Sequence, residues 1–204
     1  MSNLQFRPLP FSGGPIYSLI FWGTCVLWIL PEINAWRVKR SSDASKARDQ
    51  GSLKLIAILW WSGIALDLLL SQFLPQAAIF WQRSSTFFAG ICLMLAGVAL
   101  RWYSAAILGQ YFTFDVAIQS GQTLIESGPY RYVRHPSYSG ALLTLLGFGM
   151  ALGNWAGLVA SLCCMGAAYA YRIPIEEGAA RCRPRRAVQA IREADVAAGA
   201  VLLE

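Results

Sequence analysis

The chain has 204 residues, enough for one compact domain and short of two comfortable ones. Hydrophobic residues make up 56% and charged residues 14%, against about 25% charged in an ordinary soluble domain, and the mean hydropathy is +0.45. A soluble fold of this size could not hide that much apolar surface, which excludes the soluble enzyme classes. The net charge of +6 does not signal nucleic acid either, because the basic residues lie in the connections between apolar runs and form no soluble patch.

A bilayer-spanning helix needs about 20 mainly apolar residues. Five runs qualify or come close: Pro15 to Leu30, Leu53 to Leu74, Thr86 to Leu108, Ser137 to Leu152, and Trp155 to Tyr171. The first ends at Leu30-Pro31 with no small-residue cleavage site, so it reads as a retained helix rather than a removed signal peptide. Asp67 interrupts the second. A lone carboxylate in a span is by default a functional candidate, but no sequence neighbour partners it, and a structural hydrogen bond is the favoured reading.

The fourth and fifth runs are separated only by Gly153-Asn154, which predicts a tight helical hairpin. Gly149 and Gly153, four apart, would permit close helix contact. The segment Gly109 to His135 is too polar to span. Within it, Thr113 to Ile118 and Gln122 to Ile125 alternate around Gln119-Ser120-Gly121 and predict a short hairpin outside the membrane. The expected fold class is all-α, a polytopic membrane protein of about five spans, with that hairpin and an amphipathic C-terminal segment.

Five spans put all of the 17 basic residues except Arg7 and Arg83 on one face, Arg101 and Arg172 being counted as following the third and fifth runs. The positive-inside rule makes that face cytoplasmic, in an inner or plasma membrane. The cysteines Cys25, Cys92, Cys163, Cys164 and Cys182 lack metal-ligand or redox spacing, so neither a zinc site nor a disulfide framework is expected.

Two polar clusters reach the basic face. In the first, Gly128-Pro129 makes a turn and Arg131-Tyr132-Val133-Arg134-His135-Pro136 leads into the fourth run. Pro136 suits the first helical position and holds His135 extended just ahead of it. The helix start adds free N–H donors and a partial positive charge. Interfacial anchor and binding site both account for this stretch, since Tyr and Arg favour that depth anyway. The second cluster is Tyr169-Ala170-Tyr171-Arg172-Ile173-Pro174-Ile175-Glu176-Glu177. Pro174 predicts a helix break, with Glu176 and Glu177 in the first turn of a new helix. A hairpin of the last two runs brings both clusters to the same end, which favours a site over two anchors.

The run Gly128-Pro129-Tyr130-Arg131-Tyr132-Val133-Arg134-His135-Pro136-Ser137-Tyr138-Ser139-Gly140, followed by Gly153-Asn154-Trp155 and Arg172-x-x-x-Glu176-Glu177, resembles the isoprenylcysteine carboxyl methyltransferase family. The resemblance covers about Gly109 to Glu177, a third of the chain. It implies a membrane enzyme that methylates the carboxylate of a lipid-like or isoprenylcysteine-type substrate with S-adenosylmethionine, without metal or nucleic acid. Carried over by position, it implies a cofactor pocket of Gln119, Gln122, Thr123, Leu124, Ile125, Tyr130, His135, Pro136, Ser137, Tyr138 and Glu176. Arg172 would hold the substrate carboxylate, with Arg172 and Glu176 as the catalytic pair. Gln122 stands where the family often has His. A membrane reductase of the sterol-reductase kind using NADPH is the competing enzyme class, and Glu176 and Glu177 argue against it.

From Gly178 to Glu204 the chain holds no aromatic residue and turns Ala- and Arg-rich, unlike the family's aromatic-bearing continuation. A reading-frame shift in the coding sequence would produce such a change; a diverged basic tail on lipid headgroups is the alternative. The expected organisation is therefore one methyltransferase-like domain over 1–177 and an atypical tail over 178–204. A non-catalytic relative, inactivated by that tail, is the third functional reading.

Overall fold

A computed structural model describes residues 7–38, 51–109 and 127–201, with side chains over 7–33, 51–109 and 127–178. The predicted hairpin and the residues Gln119, Gln122, Thr123, Leu124 and Ile125 lie outside this set. The described elements are α1 (Leu9–Ser12), α2 (Pro15–Val38), α3 (Ser52–Phe73), α4 (Arg83–Leu108), α5 (Pro136–Leu152) and α6 (Trp155–Val201), with short 3-10 turns at Pro75–Ala77 and Gly128–Arg131. Among the described residues there is no strand, only an isolated bridge between Ala78 and Asn154.

Four helices are long and apolar enough to cross a membrane, and α5 is a shorter apolar one of 17 residues. At 1.5 Å per residue α5 is about 26 Å long, slightly under a hydrocarbon core of about 30 Å. The chain is an integral, multi-pass membrane protein. Large apolar side chains are exposed along these helices, among them Leu19, Leu27, Ile58, Trp61, Leu69 and Val159.

Helix α5 packs chiefly on α4, and α6 on α3. The α4–α5 seam is built on two glycine pairs at heptad spacing, Gly90 and Gly97 against Gly147 and Gly140. A Cβ on Gly97 would lie 2.6 Å from the Gly140 carbonyl oxygen, and one on Gly90 2.6 Å from that of Gly147. Only glycine lets the two backbones approach this closely. Phe21, Trp28, Phe87, Met94, Leu145 and Phe148 fill the adjoining core, with the Trp28 and Trp60 rings meeting at a tilt, 5.3 Å apart, across α2 and α3.

The α5–α6 hairpin forms at Gly153-Asn154 as expected. Gly153 adopts a left-handed conformation (φ 70°) and caps α5 by donating to the Gly149 and Met150 carbonyls. Asn154 accepts from the Gly157 amide at 3.1 Å and donates to the Leu70 and Leu74 carbonyls at 3.2 and 2.9 Å, tying the turn to the end of α3. Gly153 is thus a cap and not a contact residue, whereas Gly149 does lie against Leu158 and Asp67. Asp67 is fully buried and accepts from Ser161 Oγ at 3.2 Å, the structural bond expected of it; its Oδ1 has no hydrogen-bond partner among the described residues.

Two predicted helix ends are corrected. Helix α2 does not stop at Leu30 but passes through Pro31 to Val38. Helix α6 does not break at Pro174 and runs unbroken to Val201, so Glu176 and Glu177 lie inside a helix and not at the start of one. In each case a side-chain bond spans or adjoins the proline. Glu32 is held by Arg101, and Arg172 bonds Glu176 across Pro174 at 2.7 Å. Proline removes one backbone bond but sets φ near its helical value, so such a fastening can carry the helix through.

Candidate active site

All the polar groups of interest gather at one end of the bundle: the end of α2, the starts of α3 and α5, the last turns of α4, and α6 around Arg172. The opposite end carries Arg7 and Arg83, joined by a bond from Arg83 to the Arg7 carbonyl at 2.6 Å, and the Trp81–Trp155 pair at 6.2 Å.

The centre of the cluster is a three-way contact of Tyr138, Arg172 and Glu176. The single Arg172 Nε–H is shared between Glu176 Oε1 at 2.7 Å and the Tyr138 hydroxyl at 2.9 Å. The Tyr138 hydroxyl donates in turn to Glu176 Oε1 at 2.5 Å. Arg172 Nη1 bonds Ser52 Oγ, at the start of α3, at 3.0 Å. The Arg172 side chain is only 3% exposed, while that of Glu176 is 25% exposed. The guanidinium is therefore an internal part held by an acid that itself reaches solvent.

An aromatic stack runs beside this network. His135 lies parallel to Tyr138 at 5.5 Å, and Tyr138 parallel to Tyr169 at 4.3 Å. His135 faces the carboxylates of Glu176 and Glu177 at 3.8 and 3.7 Å, beyond direct hydrogen bonding, and Arg134 stands 3.8 Å from Glu177. The sequence placed His135, Tyr138, Arg172 and Glu176 in one site, and these four do meet.

Tyr130 lies at the edge, its hydroxyl donating to the Ser104 carbonyl at 3.4 Å. Burial pushes its phenol up to about 12, the Glu176 charge adding to the shift and Arg101 opposing it. Pro136 is buried at the first position of α5, where it starts the helix. Ser137 is also buried, and its hydroxyl accepts from Arg101 Nη1 at 2.9 Å.

That bond exposes what the sequence reading missed. Arg101 is not in a connection; it lies inside α4, buried, and forms a two-pronged ion pair with Glu32 of α2, Nε to Oε1 and Nη2 to Oε2, the latter at 3.0 Å. Arg172 likewise lies inside α6. Ser52 was not singled out either, and Tyr169 was named only as part of its cluster. A signal was present for Glu32 and Arg101, since an ionisable residue within or ending an apolar run requires a partner.

Residues 85–181 match the family model described as phospholipid methyltransferase. A rice protein named probable protein-S-isoprenylcysteine O-methyltransferase (Oryza sativa subsp. indica) is 29% identical over 119 residues, 56% of this chain and 62% of its own length. Protein-S-isoprenylcysteine O-methyltransferase A of Arabidopsis thaliana is 29% identical over 136 residues, covering 62% of this chain and 68% of its own. The chain is thus similar to membrane methyltransferases, named isoprenylcysteine O-methyltransferases among its relatives. A Bacillus subtilis relative, uncharacterized protein YpbQ, is 22% identical over 129 residues, 62% of this chain and 76% of its own. The chain spans about three fifths of the length of the first rice relative, 62%. No solved structure matches it. The family-matched segment begins in α4 and contains every member of the cluster except Glu32 and Ser52, which come from α2 and α3.

Proposed function

We propose that this protein is an S-adenosylmethionine-dependent O-methyltransferase that methylates the carboxylate of a lipid-like or isoprenylcysteine-type substrate at the cytoplasmic face of the membrane. The observation that carries the reading is the Tyr138–Arg172–Glu176 contact beside the His135 stack, at the basic end of a membrane bundle. The positive-inside rule supports the orientation.

The residues fit the cofactor's chemistry. Glu176 and Glu177 are adjacent, partly exposed carboxylates next to the His135–Tyr138 stack, and such surroundings favour a sulfonium cation over an anion. His135 and the glutamates would hold its polar groups, and Tyr130 would offer a ring face; Gln119 and the stretch Gln122 to Ile125 complete the proposed pocket. When bound, the cofactor supplies an electrophilic methyl group. The chain's own part is alignment and partial desolvation, because a carboxylate acceptor is already ionised at neutral pH and requires no general base. In this reading Glu176 fixes the orientation of Arg172 through Nε, and the buried guanidinium meets the acceptor carboxylate by exchanging its Ser52 bond for it. The same acids would repel the phosphates of NADPH.

The test uses the purified full chain in detergent, with S-adenosylmethionine labelled on the methyl group and a farnesylated cysteine as acceptor. Label released as methanol by mild alkali supports a carboxyl methyl ester. Alkali-stable label on an aminophospholipid would move the acceptor to an amine, the reading favoured by the description of the matching family model. Tighter binding of NADPH than of S-adenosylhomocysteine would overturn both.

A further inference from the structure

The Glu32–Arg101 pair joins α2 to α4, two turns inside the bundle, and a third arm of the guanidinium continues to α5. Arg101 Nη1 donates to Ser137 Oγ at 2.9 Å and to the Ser137 carbonyl at 3.3 Å. Neutralising a buried cation requires only the carboxylate. Nor is stability a sufficient reason for such a pair, since well-packed apolar residues commonly replace buried ion pairs at no loss. The third arm therefore calls for a separate account.

The first turn of α5 supplies one. His135 stands at its N-cap position and makes no side-chain capping bond, and Pro136 follows at the first helical position. The turn thus lacks a side-chain cap, and its internal bonds, from the Tyr138 and Ser139 amides and Ser139 Oγ, all end on the His135 carbonyl and leave the Ser137 flank to be held from outside. It is gripped instead from the flank by Arg101 at Ser137, and one turn later by the close approach of Gly140, where a Cβ would come within 2.8 Å of the Arg101 amide nitrogen. Ser137 lies between Pro136 and Tyr138, and two residues after His135. At 3.6 residues per turn, a small rotation of this segment carries Tyr138 away from Arg172 and Glu176, and His135 away from the stack.

We propose that the Glu32–Arg101 pair is a positioning device that locks the first turn of α5 in rotation. Glu32, on a helix outside the family-matched segment, is thereby a positioning residue for His135 and Tyr138. As a statement about cofactor binding this rests on the proposed function; as a statement about α5 it stands alone.

The experiment measures hydrogen exchange and S-adenosylhomocysteine binding on the full chain in detergent, comparing the parent with Glu32→Leu/Arg101→Met and with Ser137→Ala. The double variant removes both charges together, so no unpaired ion is left to unfold the bundle. Peptides across residues 136–142 are expected to exchange at least tenfold faster in the folded double variant and severalfold faster in Ser137→Ala, with peptides across 158–168 unchanged. Affinity for S-adenosylhomocysteine is expected to fall at least tenfold in the double variant. Parental exchange at 136–142 in a folded double variant overturns the proposal. Should the double variant not fold, parental exchange in Ser137→Ala does the same. A parent chain that binds no S-adenosylhomocysteine overturns the proposed function instead, and the exchange data still decide the role of the pair.

Discussion

Replacing Glu176 with glutamine separates the shape of the network from its charge. Glutamine keeps an Oε1 that can accept from Arg172 Nε and from the Tyr138 hydroxyl, so the contact geometry at 2.7 and 2.5 Å survives. What is lost is the ionic character of two hydrogen bonds. Bonds to a charged group contribute about 1.5–3 kcal/mol and neutral ones about 0.5–1.5, a difference of about 1 kcal/mol each. Glu176 is a quarter exposed, so solvent screening trims the sum. Ser52 still accepts from Nη1, leaving Arg172 partly compensated. The expected loss of stability is therefore about 1–2 kcal/mol, or roughly 5–30-fold in the unfolding equilibrium, measured by SDS titration of the chain in mixed micelles. Ligand binding gives the functional half. If the Glu176 charge faces a sulfonium, Glu176→Gln should weaken S-adenosylmethionine, which carries that charge, more than S-adenosylhomocysteine, which lacks it. Equal affinity losses for the two ligands would remove the charge role, and an unchanged affinity for both would remove Glu176 from the pocket.

Gly97→Ala should lower stability by about 1–3 kcal/mol, the usual cost of overpacking, because its Cβ meets backbone at 2.5–2.6 Å and the α4–α5 seam must part; a melting temperature equal to the parent's would contradict the close seam. Asp67→Asn should cost less than about 1 kcal/mol, since the Ser161 bond persists, no ion pair is broken among the described residues, and a buried carboxylate without a cation gains little from its charge. Gly157→Ala, whose Cβ would come within 3.0 Å of the Asp67 backbone, should be clearly worse in the same melts. For Tyr130 the sign runs from its phenol: the folded state keeps the proton up to about 12, against 10.0 unperturbed. Its contribution is full below pH 10 and lost as pH rises towards 12, where the unfolded chain has already ionised. Absorbance titration at the phenolate band should show the Tyr130→Phe difference only above pH 11.

The helices were legible because a bilayer demands long apolar runs, and Trp155, Gly153 and Pro136 mark starts and stops that the structure keeps within a residue. The site was legible through local spacing. Arg172 and Glu176 are one helical turn apart, and the Gly153-Asn154 hairpin returns them beside Tyr138. Where reading along the chain went wrong, the cause was a side-chain contact, from another helix at Pro31 and within one turn of the same helix at Pro174. Pro31 and Pro174 carry the ordinary marks of helix ends, and what continues both helices is a side-chain fastening that local propensity does not contain.

Glu32 and Arg101 show the limit more sharply. They are 69 positions apart, and each taken alone has an ordinary local explanation, an acid after a proline and a base near a basic face. Only the demand that a buried charge find a partner joins them, and that demand names neither the partner nor the helix it comes from. The same holds for Ser52 and Arg172, 120 positions apart. Both contacts run from α2 and α3, ahead of the matched segment, to an arginine within it. The family-matched segment thus contains the groups proposed to face a ligand, while part of what orients those groups is supplied by helices that lie ahead of it. A chain could carry the whole segment and still bind poorly if the residues at positions 32 and 52 were changed.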